Sequence, residues 1–144
     1  MRLRDRSFAH LFALSLAYGV ASLAHFVHNA EFLAQYPNMP LWLSRSKVYC
    51  AWLLIAVVGA TGIIVARSRF ALAGLLIVAA YATLGFDGLG HYALAPMAAH
   101  TFAMNLTIWV EVGAAAALLV FTLRQVFLAG WRSGNRQEDA GTLA

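Results

Sequence analysis

The chain has 144 residues, of which 62% are hydrophobic and only 11% charged, with a mean hydropathy of +0.72. A soluble domain of that length has too little interior for so much apolar surface, so composition excludes one and points to a membrane protein. The net charge of +4 is explained by helix orientation, as argued below, and requires no nucleic acid partner.

Crossing a bilayer core of roughly 30 Å takes about 20 mostly apolar residues per helix. Four such stretches are present, which predicts an all-α integral membrane protein, a four-transmembrane-helix antiparallel bundle over residues 1–130. The first span is expected at about 8–33. MRLRDR followed by apolar residues imitates a secretory signal, but the run is too long, contains His25 and His28, and ends at no small-residue cleavage pattern. The link AQYPNMPLWLSRSK comes next, where Pro37 and Pro40 break the helix and Trp42 suits the headgroup level. A second span at 48–66 is joined by little more than RSR to a third at 70–90. Gly88, Gly90 and Pro96 then predict a turn before the fourth span at 98–123, and residues 131–144 are expected to form a flexible cytoplasmic tail.

Cytoplasmic links retain positive charge. Arg2, Arg4, Arg6, Arg67, Arg69, Arg124, Arg132 and Arg136 flank one side and only Arg45 and Lys47 the other, eight against two. The bias predicts both termini in the cytoplasm of a multi-pass protein and, for a bacterium, a place in the inner membrane with the two remaining links in the periplasm.

That orientation gathers ionisable residues at the outer end. His25 and His28 fall in the outer half of the first span, Asp87 and His91 at the outer end of the third, and His100 at the outer start of the fourth. The i,i+3 and i,i+4 spacings put each pair on one helix face. These five residues are predicted to converge as ligands of a transition metal, since imidazole and carboxylate suit copper, iron or zinc better than magnesium or calcium. The lone Cys50 rules out an intramolecular disulfide, a CxxC redox pair and an all-thiolate site within one chain. Asn29 shares the face of His25 and is expected to support the ligands. Glu31, about 120° away at roughly 100° per residue, is a weaker candidate. Asn105 and Thr107 complete the supporting set. The competing reading makes each histidine an interfacial residue, as expected for His10 among the arginines, and makes Asp87 a turn cap beside Gly88.

Glu111 falls near the middle of the fourth span, in TIWVEVGAAAALLV. A carboxylate at that depth costs about 2.5–3.5 kcal/mol on insertion scales and has to be protonated, paired or hydrated. His100, Met104, Thr107 and Glu111 recur at 0, 4, 7 and 11, one helical stripe, running inward over roughly 16 Å at 1.5 Å per residue. Glu111 is therefore predicted to carry protons beneath the metal or to support a histidine such as His25. The alternative is a neutral acid hydrogen-bonded to Tyr18, Ser22 or Tyr81. The runs VGATG and VGAAAALL are expected to permit close helix packing.

Asp87-Gly-Leu-Gly-His91, followed after a Pro by His100, resembles the Asp-x3-His and later His copper site in the C subunit of membrane-bound methane and ammonia monooxygenases. The resemblance spans residues 87–100, the later His of that family lies a few residues further on, and what it implies is copper as the metal. Three functions fit the sequence. The leading one is a metal-dependent enzyme, an oxidoreductase above all, acting on a small apolar or lipid-like substrate from the bilayer. The second is a haem-binding electron-transfer subunit with axial histidines. The third is an accessory subunit of a larger membrane complex, or a homo-oligomer, in which the polar groups only join helices.

Overall fold

Helices are the solution for apolar segments in lipid because every backbone N–H and C=O is satisfied within the segment. The computed structural model describes residue 3 and residues 5–141, with side chains through residue 131. It is helical, with no strand among the described residues: α1 is Asp5–Glu31, α2 Arg45–Arg67, α3 Ala71–Leu84, α4 Gly90–Leu94 and α5 Phe102–Gly141. Among the described residues, four helical segments are long and apolar enough to cross a membrane: Asp5–Glu31, Arg45–Arg67, Ala71–Leu94 and Phe102–Trp131. The predicted all-α, four-span architecture is what is found. α5 continues beyond the apolar part to Gly141, into the segment expected as a tail, and residues 142–144 lie outside the described residues.

The helices form an antiparallel bundle in the cyclic order α1, α2, α3, α5, with each helix packed on the next and α5 on α1. Leu11, Tyr18, Leu75, Val78, Tyr81, Ala115 and Leu118 make the buried centre. Leu16, Val20, Leu54, Val57, Ile64, Leu76, Val110 and Val120 face outward, where lipid replaces water as solvent. Small residues draw α2 and α3 together, as VGATG suggested. A methyl group on Gly59 would lie 2.8 Å from the Tyr81 ring, and one on Gly74 would run into the Ala66 backbone. The second run behaves differently: Ala115 is buried, but Gly113 has open space beside it.

The third span is broken near its end, a little before the turn expected from Gly88, Gly90 and Pro96. α3 ends at Leu84, a single 3-10 turn covers Asp87–Leu89, and α4 resumes at Gly90. The cause is close approach. A side chain on Gly85 would meet Ala115 and the Tyr18 ring at 2.6 Å, and one on Gly88 would stand 3.3 Å from the Glu111 carboxylate. The break therefore lets this strand of chain press on α1 and α5 beside the polar residues.

The link between α1 and α2 is tied down by its own side chains. Asn38 takes the left-handed φ of 56°, which Asn tolerates better than most residues, and its amide donates to the Leu94 carbonyl at 2.8 Å. At the head of α2, Ser44 caps Lys47 N. Arg45 and Tyr49 both donate to Glu31, joining α2 to the end of α1.

Candidate functional site

A heptad-like stripe on α1 turns Ser15, Tyr18, Ser22, His25 and Asn29 inward, and all five are buried. Opposite it, α5 buries Met104, Ile108 and Glu111, with Thr107 beside them. The expected inward stripe of the fourth span is therefore present, although His100 itself sits in extended backbone just before α5 and does not start the helix.

His25, His91 and His100 are all buried and form a row with His91 in the centre. The His25 and His91 ring centroids are 5.4 Å apart, and those of His91 and His100 are 6.1 Å apart. Their hydrogen bonds fix the protons. Thr107 spends its single hydroxyl hydrogen on the Met104 carbonyl at 3.0 Å, so it must accept from His25 Nδ1–H at 3.3 Å. The Pro96 carbonyl can only accept, so at 3.1 Å from His100 Nδ1 it holds the proton there. In both rings Nε2 is left with a bare lone pair. That of His100 is buried with no partner, and that of His25 stands 3.8 Å from Glu111 Oε2. Asn29 Nδ2 donates to His91 Nε2 at 3.2 Å, leaving its own Oδ1 buried and unpartnered.

A buried imidazole that commits Nδ1–H to an oxygen and leaves Nε2 free has the arrangement of a metal ligand. Imidazoles bound to one ion at about 2.0–2.1 Å through Nε2 would place ring centroids roughly 5–6 Å apart, close to the two separations found. As they stand, however, no three His, Cys, Asp or Glu side chains among the described residues are disposed to hold a metal ion. Side-chain rotation is needed, and release of Asn29 from His91 would free the third lone pair. The orphaned His100 Nε2, Asn29 Oδ1 and Glu111 Oε2 are groups that gain by such a change, because an unmade buried hydrogen bond costs about 1–3 kcal/mol.

The other candidates lie at the margin of this row. His28 is half-buried and hydrogen-bonded through Nδ1 to Tyr36 Oη at 2.9 Å. Asp87 is exposed in the 3-10 turn, beside His25, Asn29 and His91 on the wall of a cavity of about 410 Å³. Its remaining wall includes Phe26, Met39, Trp42, Leu43 and Val48. Glu31 is turned to Arg45 and Tyr49, away from the histidines. Asn105 braces the turn before α5, donating to the Met97 and His100 carbonyls at 3.2 and 3.3 Å. It also accepts from Tyr92 Oη at 2.8 Å. His10 is exposed and bonded to the Arg6 carbonyl, apart from the row.

Glu111 is 1% exposed and its Oε2 has no hydrogen-bond partner. Of the three hydroxyls considered as its partners, those of Tyr18 and Ser22 are likewise buried and make no hydrogen bond. Tyr36 is the residue that sequence reasoning missed. It is 4% exposed, its ring lies 4.8 Å from that of His91 at a 36° tilt, and burial pushes its hydroxyl up to about 12. It therefore stays a neutral hydrogen-bonding group at ordinary pH. Its place in a proline-rich link concealed it; Pro37 and the Asn38 turn are what fold it back over the row. Compared with protein-family models, curated proteins and solved structures, the chain matches none.

Proposed function

We propose that the chain is a multi-pass protein of the bacterial inner membrane, both termini cytoplasmic, that binds a transition metal between His25, His91 and His100 and acts as an oxidoreductase on a small apolar or lipid-like molecule. One observation carries the reading: buried His25 and His100 have Nδ1–H committed to Thr107 and Pro96, so each offers Nε2 as a lone pair in a site without Lys or Arg. Copper, iron and zinc suit such a donor set.

Bound there, the metal would supply Lewis acidity or electron transfer. The chain's own residues do the rest. Thr107 and Pro96 orient two ligands, and Asn29 positions His91. Asp87 lies at the cavity wall, within the space shared with His25 and His91, and can serve as a further ligand or a polar contact for the substrate. Glu111, 3.8 Å from His25 Nε2, is placed to hold or pass a proton beneath the row. Apolar walls with few convergent polar groups are usual for a small-molecule site of this volume.

The test is elemental analysis with an optical spectrum on detergent-purified protein. Stoichiometric copper, iron or zinc that falls in His91→Ala and His100→Ala supports the proposal. A Soret band would replace it with haem binding, and full metal occupancy in both variants would remove these histidines as ligands. Metal-free protein of unchanged fold would favour an accessory role.

A further inference from the structure

The histidine row is only the outer part of a longer polar stripe. Ser15, Tyr18, Ser22, His25 and Asn29 of α1 are all buried, and at 1.5 Å per residue they cover roughly 21 Å of a hydrocarbon core about 30 Å thick. Inward of the row, Ser15 Oγ, Tyr18 Oη, Ser22 Oγ and Glu111 Oε2 are buried and make no hydrogen bond. Thr83, Thr107 and Thr122 behave differently, each donating to a carbonyl of its own helix at 2.7, 3.0 and 2.7 Å. Ser15 and Ser22 forgo that bond, which is the usual way for a hydroxyl in a helix to satisfy itself. Ser22 is the polar neighbour that Tyr18 and Glu111 share, and the Tyr81 ring lies 4.5 Å from that of Tyr18. Unmade bonds of buried polar groups are what internal water satisfies, and ionisable groups at this depth in a membrane characterise proton relays.

We propose that the inner part of this stripe is a proton route that connects Glu111 with the cytoplasmic face, so that protons used at the histidine row come from inside the cell. A proton arriving at Ser15 passes through water to Tyr18 and Ser22, each hydroxyl taking one hydrogen and releasing its own, and one proton reaches Glu111 Oε2. The hydroxyls then turn back, and the stripe is unchanged. Beyond Glu111 the next acceptor is the His25 Nε2 lone pair at 3.8 Å, and His25 lines the outer cavity, which gives the path its outer end. The inner end is closed. Leu11, Leu75 and Leu118 are fully buried in one cluster, and the Thr122 hydroxyl is tied to the Leu118 carbonyl. Such an apolar plug keeps the route from discharging the membrane potential at rest, and protons pass only when water enters between the leucines. The inference rests on the proposed orientation and on the reading of Glu111 as the acid of the site, and it is independent of the metal's identity.

The experiment is proton flux into proteoliposomes of the full chain that hold pyranine and potassium, with valinomycin setting an inside-negative potential. Wild-type flux should be close to that of protein-free vesicles, because the plug is shut. Leu11→Ser puts a hydroxyl into the plug, and we expect the flux to rise about tenfold, the effect of one added hydrogen bond to water at the barrier. Leu118→Ala opens the same plug from α5 by a milder change and serves where the serine variant folds poorly. In either background Glu111→Gln should return the flux to near the wild-type rate, and Ser22→Ala and Tyr18→Phe should each lower it severalfold. General damage to the bundle would ignore those three changes, so flux that survives them overturns the route. Folded opening variants that conduct no faster than wild type overturn it as well. Metal content measured on the same preparations separates the two readings: metal without the expected flux strikes the route alone, and Glu111-dependent flux in protein that holds no metal keeps the route and strikes the metal.

Discussion

Thr107→Val is the sharpest probe of how the histidine row is organised, because it changes one hydroxyl into a methyl of nearly the same shape. Thr107 Oγ1 holds the Nδ1 proton of His25 at 3.3 Å and anchors itself on the Met104 carbonyl at 3.0 Å. Without it, His25 keeps a buried N–H with no acceptor, or moves its proton to Nε2 and loses the lone pair that faces the site. Supporting hydrogen bonds of this kind are worth about 10–100-fold in metal affinity, and a contact as long as 3.3 Å belongs at the weak end. The expected loss is about tenfold, or about 1.4 kcal/mol, measured by competition with a chelator of known affinity. Global stability in a mixed-micelle denaturation should fall by only about 1 kcal/mol. Thr107→Ser restores the hydroxyl and should restore affinity. Wild-type affinity in Thr107→Val, or a serine variant as weak as the valine one, would refute the assigned role.

Glu111→Gln keeps the shape of the side chain while removing its acid, so we expect a folded, metal-loaded protein with proton-coupled turnover reduced by about 100-fold or more, the usual contribution of a positioned acid or base; wild-type turnover would leave Glu111 a structural group. Gly74→Ala forces a methyl group into the Ala66 backbone and 2.6 Å from the Val65 carbonyl carbon, which should cost at least the 1–3 kcal/mol typical of overpacking. Gly113→Ala, with open space beside it, should be neutral or slightly stabilising in the same denaturation assay. In a Cys50→Ala background, Asn38→Cys should react with an impermeant thiol reagent in intact cells and Asn135→Cys should not; the reverse pattern would invert the proposed orientation.

The four spans were legible because 20-residue apolar runs have few alternatives in a short chain, and most helix ends moved by only a few residues, the exceptions being α3, which stops at Leu84, and α5, which runs on to Gly141. The inward direction of several polar residues was legible too: His25, His91, His100 and Glu111 are all buried. Asp87 and His91 do line one cavity, but spacing did not foretell that Asp87 stands exposed in a 3-10 turn where Gly85 and Gly88 press on Tyr18, Ala115 and Glu111. Helical periodicity carries no information about such contacts. Tyr36 was hidden for a related reason, since a residue in a link has no period from which its direction can be read. Proton placement on His25 and His100 needed the partner atoms themselves, one of them a backbone carbonyl at Pro96 that no residue pattern advertises.

In the proposed function, His25, His91 and His100 hold a transition metal. Its most direct measurement is the metal content per chain of purified protein after dialysis against copper, iron or zinc, compared with His100→Ala. About one ion per wild-type chain is expected, with a marked loss in the variant, whose missing Nε2 is the one buried imidazole nitrogen without a partner in the row. Equal metal content in the two proteins, or none in either, would contradict it.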